Sequence, residues 1–495
     1  MISETILLTG ATGYVGGRLL ERLAQTSHTV RCLVRDASRL RGRPGAEQAE
    51  IVEADVLEPE SLKGAFDGVS TLFYLVHSMG AADGFEQADR TAAENVIKEA
   101  KRSGVQRIVY LGGLGREGDA DSPHLRSRHE VGAVLRESGI PTLELRASIV
   151  IGPGSLSFDL VRSLVERLPL MITPRWVRSL AQPIHIDDVL DYLMAGLSGP
   201  TTDVVEIGGP DRVGYSDLLL EYARQRSLRR WILHVPFLTA RLSSLWLGLV
   251  TPVYARIGRK LIDSLRHDTI VEQDRAATAF PQIQPRGVAE AIANALHDEE
   301  SGLLSTRWMD ALSSSGHVPT WRGITWARRR IDSRETYIPA QPSVVWTVVS
   351  RIGGQAGYYY GNWLWQLRGA LDLLVGGVGM RRGRRDPDEF FAGDTVDFWR
   401  VEHVEPIRVV RLVAQMRLPG RAWLQFELKP ERDGTLLRQT AIYDPMGAAG
   451  LLYWWSVAPF HHLIFGGMLR GLHEAALANS DPARQGKLGE GKIVT

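Results

Sequence analysis

Short apolar runs alternate with amphipathic stretches along the N-terminal part of the chain, and this alternation sets the elements to expect. Residues 6–8, 28–35, 51–55, 70–76, 107–111 and 142–150 read as buried strands. Helices are expected to open at Gly16-Gly17-Arg18-Leu19-Leu20, to start at Pro59-Glu60-Ser61-Leu62, and to cover about 85–102. Strands and helices alternating at these lengths make a parallel, doubly wound α/β sheet. The pattern changes from about Ala289. Residues 298–332 carry an acidic stretch, a Ser/Gly stretch and then Arg328-Arg329-Arg330, the composition of a connection with little core of its own. A second domain is expected over 333–478: a segment starting at Glu335, a helix from Pro342, several strands within 396–444 and a closing helix at about 459–478. The polar tail 479–495 is expected to be disordered.

The sharpest local signal sits at the first strand-to-helix turn. Thr9-Gly10-Ala11-Thr12-Gly13-Tyr14-Val15-Gly16 follows directly on Ile6-Leu7-Leu8. Three glycines let the backbone approach a pyrophosphate, and the helix that follows presents its N-terminal amides to phosphate. A glycine triplet alone is equally well a turn with no ligand. The second and third strands, at 28–35 and 51–55, complete a βαβ unit and favour a dinucleotide. Cofactor choice is read at the end of the second strand, where the chain places Val34-Arg35. Arg35, with Arg39 and Arg41 nearby, offers a guanidinium fork to a 2′-phosphate, which favours NADP(H) over NAD(H). The bland alternative is a solvated Arg35 paired with Asp36.

Composition narrows the class further. A length of 495 residues exceeds one ordinary core, so two domains of unequal size are expected. A formal charge of +1 gives no electrostatic argument for nucleic acid. Cys32 is the single cysteine, which excludes an internal disulfide or a cysteine metal cluster and suits a reducing cytoplasm. A first strand starting almost at Met1 leaves no room for a signal peptide. Two apolar stretches raise a membrane question. Residues 231–258 hold Arg241 and prolines, and 449–469 are interrupted by Pro459 and His461-His462, so neither reads as a clean spanning helix. Buried or interfacial helices account for both, and a peripheral membrane contact stays open.

The first 295 residues or so resemble extended and atypical short-chain dehydrogenase/reductases with a Rossmann sheet. The resemblance rests on Thr9-Gly10-x-x-Gly13-x-x-Gly16, Asp55-Val56, Asn95, Arg146, Gly152-Pro153-Gly154 and Ile184-His185-Ile186-Asp187-Asp188-Val189, and leans towards the NmrA-like branch and the NADPH-binding accessory subunit of respiratory complex I. It implies that Thr9, Gly10, Thr12, Gly13, Tyr14, Val15, Gly16 and Arg35 hold the cofactor's phosphates. Asp55 and Val56 would touch adenine, and Leu75, Val76, His77 and Ser78 would line ribose and nicotinamide.

The chain also departs from the family, whose reductases protonate a carbonyl with Tyr-x-x-x-Lys. No such motif exists here. The corresponding slot reads Ser122-Pro123-His124-Leu125-Arg126-Ser127-Arg128-His129-Glu130, and the family's serine falls in Leu111-Gly112-Gly113-Leu114. Helical spacing puts His124 and Arg128 on one face, so His124 is a candidate acid and Arg128 a candidate cation over the ribose. Equally, the pair closes the site structurally, with Arg128 bonded to Glu130 or a phosphate. His77 and Ser78 are further candidates. His185 with Asp187 and Asp188 lacks a third ligand, and His461-His462 points two ways, so no metal is expected.

Residues 333–478 hold more than half of the chain's 13 tryptophans. Their order of elements resembles the α+β helix-grip fold of START-like and polyketide-cyclase-like (SRPBCC) domains, which enclose an apolar cavity. An aromatic-rich packed core is the alternative. Arg381-Arg382-Gly383-Arg384-Arg385 reads as a solvated hairpin, with anion binding as the lesser option. The whole suggests a cytoplasmic NADP(H)-binding oxidoreductase acting on a hydrophobic carbonyl, enone or quinone-like substrate, joined to a lipid- or hydrophobe-binding domain. The alternative is a non-catalytic NADPH-binding redox sensor or assembly factor. The missing tyrosine and lysine favour the latter and the retained substrate-side motifs the former. Oligomeric state is not readable.

Overall fold

The structure is a computed structural model and describes residues 4–40, 43–77, 85–115, 123–174, 179–199, 203–235, 267–300, 330–375, 377–380, 384–431, 433–445 and 447–480. Of the positions singled out above, Arg41, Ser78, Ser122, Arg241, the bulk of 231–258, residues 301–329 of the connection, Arg381-Arg382-Gly383 and the tail from 481 lie outside the described residues. The chain divides into two compact units, Met1–Val318 and Pro319–Thr495.

The first unit is built on seven parallel strands: β1 (Thr5–Thr9), β2 (Thr29–Val34), β3 (Glu50–Glu53), β4 (Val69–Tyr74), β5 (Arg107–Gly113), β6 (Thr142–Ala147) and β7 (Asp203–Ile207). Their order across the sheet is β7-β6-β5-β4-β1-β2-β3. The chain leaves β1 in one direction for β2 and β3, then crosses to β4 on the other side. That reversal opens a crevice at the carboxyl ends of β1 and β4. Side chains alternate across each strand, so Ile6 and Leu8 enter one apolar layer with Leu19, Leu20, Cys32 and Phe73, while Leu7 enters the other with Leu72, Val96, Ile108 and Leu135. Both faces are covered, and each such side chain contributes on the order of 1.5–3 kcal/mol of burial. The covering helices are α1 (Tyr14–Leu23), α2 (Phe85–Arg102), α3 (Pro123–Arg136) and α5 (Ile186–Ala195), whereas α4 (Leu156–Arg167), α6 (Tyr215–Gln225) and α7 (Val288–Glu300) pack with one another and with Ile149 and Ile151 in a separate apolar cluster.

Three expected boundaries shift. The run 142–150 breaks at Ala147, and Val150–Ile151 pairs instead with Ile184–His185 outside the main sheet. Pro59–Leu62 is a single 3-10 turn rather than a helix start. The acidic stretch at 298–300 finishes α7 instead of beginning the connection.

In the second unit β8 (Arg330–Ile338) precedes α8 (Pro342–Ser350) and α9 (Asn362–Leu374). Five strands follow, β9 (Thr395–Val396), β10 (Trp399–Glu405), β11 (Val409–Ala414), β12 (Gly420–Glu431) and β13 (Gly434–Pro445), and α10 (Gly447–Ser480) ends the unit. The sheet is antiparallel, ordered β8-β13-β12-β11-β10-β9. The closing helix therefore starts twelve residues earlier than the expected 459, with Pro459 inside it. Proline removes one backbone hydrogen bond, and the rest of a 34-residue helix carries on around it. Stacked rings fill the interior, with Tyr358 against Trp365 at 4.5 Å and Trp365 edge-on to Phe465 at 6.0 Å.

Candidate active site

The crevice is fixed first by Thr9. Its hydroxyl donates to the Phe73 carbonyl at 2.9 Å and accepts from the Leu75 amide at 3.2 Å, binding the ends of β1 and β4 together. Gly10 then turns the chain at φ +76°, and a Cβ there would lie 2.5 Å from the Leu75 carbonyl oxygen. At Gly16 a Cβ would meet the Gly10 carbonyl at 2.2 Å. These two glycines are demanded by the protein's own turn. Gly13 is different, because a Cβ would touch only the Gly10 carbonyl, at 3.1 Å. It stands at the N-cap of α1, whose first turn has no acidic residue and no side-chain cap. The first amides of α1 are thus left to an anion by the helix itself. Tyr14 and Val15 offer their amides only, since their side chains pack inward; burial raises the Tyr14 phenol well above its ordinary range. This donor set fits a dinucleotide pyrophosphate. Thr12 lies on the same turn, partly buried.

At the end of β2, Arg35 is exposed. Its neighbour Asp36 accepts from the Ser38 amide at 3.0 Å and hydroxyl at 2.6 Å. Arg39 is buried, and its carbonyl accepts from Arg43 Nε at 3.0 Å. Of Arg35 and Arg39, then, Arg35 is the one whose side chain reaches solvent beside the turn. Beyond β3, Asp55 closes its own loop, accepting from the Leu57 amide at 3.0 Å. The Val56 carbonyl accepts from Asn95 of α2 at 3.0 Å, which anchors this loop to the helix.

Leu75, Val76 and His77 leave β4 partly buried along the crevice. His77 Nδ1 lies 2.9 Å from Asp89 Oδ2, and His77 Nε2 lies 3.1 Å from His124 Nδ1. The two imidazole centroids are 4.8 Å apart. Ser127 Oγ donates to the same Asp89 oxygen at 3.0 Å. Asp89 is only 3% exposed. An ionised Asp89 assigns the proton of His77 to Nδ1, so His77 Nε2 accepts from His124 Nδ1–H. The sequence singled out His77 and His124 separately. It missed Asp89 and Ser127, although Asp89 falls in the buried stripe of α2 with Ala92, Ala93 and Val96, where an acid is out of place.

The other expected residues take supporting places. Arg128 donates to the Leu111 carbonyl at 2.7 Å, bracing α3 on β5, and Tyr110 donates to the Arg128 carbonyl at 3.0 Å. Arg146 is 5% exposed and bonded to buried Glu144 at 2.7 Å, so it holds an internal charge cluster with Arg136. His185 is fully buried and caps α5, its Nδ1 accepting from the Asp187 amide at 3.3 Å; loss of hydration lowers its pKa to about 4. Burial likewise raises the phenols of Tyr74 and Tyr110, the tyrosines lining β4 and β5 here.

Comparison with known proteins agrees with the geometry. Residues 10–149 match a family described as NAD(P)H-binding, and residues 329–468 a family described as protein of unknown function (DUF2867). Similar curated proteins include a ceramide reductase of Caulobacter vibrioides, 25% identical over 43% of this chain and 66% of that protein. A dihydroflavonol 4-reductase of Zea mays is 27% identical over 38% and 64%. A 3 beta-hydroxysteroid dehydrogenase/Delta 5-->4-isomerase of Mycobacterium tuberculosis is 32% identical over 21% and 30%. The chain thus spans between about a third and two thirds of these relatives. Among solved structures, the Bordetella bronchiseptica enzyme WbmG in complex with NAD and UDP superposes with a TM-score of 0.48 at 16% identity, over 64% of this chain and 99% of that one. The first unit carries an NAD(P)H-binding domain on a Rossmann sheet, similar to reductases, and its cofactor is a nicotinamide nucleotide.

Proposed function

We propose that the protein is a cytoplasmic, NADPH-dependent reductase of a hydrophobic carbonyl, enone or quinone-like compound, with His124 as proton donor. The observation that carries this reading is the line from Asp89 through His77 to His124 at the mouth of the cofactor crevice. The α1 amides would hold the pyrophosphate and Arg35 the 2′-phosphate of a nicotinamide cofactor, whose reduced ring would supply the hydride for the carbonyl carbon. His124 Nε2–H gives its proton to the oxygen that then carries the charge, yielding the alcohol. His124 Nδ1 stays bonded to His77, and the Asp89 carboxylate keeps both rings oriented and favours the protonated donor. Tyr74 and Tyr110, the buried tyrosines of β4 and β5, hold their protons tightly. The relatives named for ceramide and for a steroid support a large apolar substrate.

Stopped-flow oxidation of bound NADPH against a panel of hydrophobic carbonyls and quinones tests the reading. His124→Phe is expected to keep NADPH affinity and to lower turnover by about a hundredfold or more, the usual worth of general acid catalysis. The wild-type rate should fall as pH rises through the histidine pKa, since only the protonated ring donates. Tight NADPH binding with no acceptor accelerating its oxidation would assign the protein to sensing or assembly instead. Undiminished turnover in His124→Phe would remove that residue from catalysis.

A further inference from the structure

We infer that α9 and the N-terminal half of α10 form a platform that lies on an anionic lipid bilayer, a surface role independent of the nicotinamide chemistry. On α9, Trp363, Leu367, Leu371 and Leu374 recur every three or four residues; on α10, Leu452, Trp455, Phe460 and Leu463 share one side. Each is between 50% and 74% exposed. Helices of a water-soluble surface place polar residues on such a face.

Side chains tie the two helices to each other. Along the chain from Tyr360 to Arg368, the partners on α10 run backwards. Tyr360 packs on Gly467, Trp365 meets Phe465 at 6.0 Å, and Arg368 Nε reaches the Tyr453 hydroxyl at 3.4 Å. Taking about 100° per residue, the exposed stripe lies roughly a quarter turn to the same hand of Arg368 on α9 and of Tyr453 on α10. Trp365, Gly369 and Leu373 of α9 and Phe465 of α10 face inward on the opposite side.

Charge identifies the partner. Between Gly447 and Leu469 there is no Asp, Glu, Lys or Arg. The one acid of α9, Asp372, is buried and spent on the amides of Gly379 at 2.9 Å and Arg417 at 2.7 Å. Around the stripes stand Arg368, exposed Arg417, Arg421, and Arg330 over the Trp455 ring at 6.0 Å. Asp444 stands opposite Arg421 across β12 and β13 and Asp332 pairs with Arg334, so Arg368, Arg417 and Arg330 carry the positive charge of the margin. A second copy would bring the same arginines together with no acidic ring to receive them. A bilayer bearing anionic headgroups receives both the apolar stripes and the cations, with Trp363 and Trp455 at the depth tryptophan prefers. Among the described residues no helix is long and apolar enough to cross a membrane, so the contact is one of lying on the surface.

The test is flotation of the full chain with vesicles of phosphatidylcholine and phosphatidylglycerol, against vesicles of phosphatidylcholine alone. Binding is expected to the mixed vesicles and to weaken about tenfold or more without the anionic lipid or at high salt. Leu371→Glu with Trp455→Glu should lower it at least about tenfold while NADPH affinity and thermal unfolding stay unchanged, both sites being exposed. Quenching of wild-type tryptophan fluorescence by brominated lipid gives the same reading without any substitution. Absence of wild-type binding and quenching overturns the proposal, as does equal binding to both vesicle types. So does a wild-type dimer, seen by light scattering, that the double variant dissolves.

Discussion

Asp89 takes hydrogen bonds from Ser127 Oγ and His77 on one carboxylate oxygen, and this fixes which nitrogen of each histidine carries a proton. Replacing it by asparagine keeps the shape but withdraws the charge, so His77 turns and His124 loses its oriented acceptor. Asp89→Asn is expected to lower kcat by about tenfold to a thousandfold with KM nearly unchanged, and to shift the pH profile of kcat. Because the residues act in line, Asp89→Asn combined with His77→Phe should be hardly worse than either alone; additive losses in this cycle would show separate roles. Arg35 tests the other end of the crevice. Losing a charge-assisted contact of about 1.5–3 kcal/mol should weaken NADPH roughly ten- to a hundredfold in Arg35→Ala and leave NADH nearly untouched. Calorimetric titration of both cofactors decides it, and equal losses would reject the 2′-phosphate assignment. The glycine turn was legible in the sequence because its constraints are local. Asp89 was not, since its partners come from β4 and α3 and only the fold brings them together.

At the scale of the element, α5 owes its start to a buried imidazole. His185 sits among Asp187, Arg286, Asp298 and Arg18, and loss of hydration outweighs the aspartates, leaving its pKa at about 4 against 6.5 unfolded. The folded ring thus binds protons less readily than the unfolded one. Its contribution is fully present above pH 6.5 and is lost as pH falls from there towards 4, up to about 3 kcal/mol in all. Urea unfolding between pH 7 and pH 5 should show the first unit weakening, and His185→Gln should flatten that dependence. An unchanged slope in the variant would assign the acid loss elsewhere. Elements with strong periodicity, such as α2, were readable from the chain alone. Those that depend on partners were not: Val150–Ile151 follows β6 after only Ser148 and Ile149, yet leaves the sheet to pair with Ile184–His185. Pro459 read as a helix boundary, whereas α10 continues through it, packing on β8 and β13 along its length.

The molecule as a whole is two units with separate apolar interiors, one of parallel strands layered by helices and one of antiparallel strands closed by α10. Residues 298–300 and 330–332 carry the charges of a linker, yet in the structure they end α7 and begin β8. Ligand linkage offers a way to tell the units apart in solution. A ligand that binds only the native first unit raises the stability of that unit by about 2.7 kcal/mol at a hundred times its Kd and leaves the other where it was. Scanning calorimetry is therefore expected to show two transitions, of which NADPH raises one. Tryptophan fluorescence should follow mainly the other, since most of the tryptophans lie beyond Val318. Gly13→Val supplies the control: a branched side chain at the N-cap of α1 closes the approach to its amides, so NADPH should no longer shift any transition while the tryptophan-reported one stays in place. A single transition that NADPH raises as a whole would mean that the two interiors unfold together, and a shift that survives Gly13→Val would place the nucleotide away from the glycine turn.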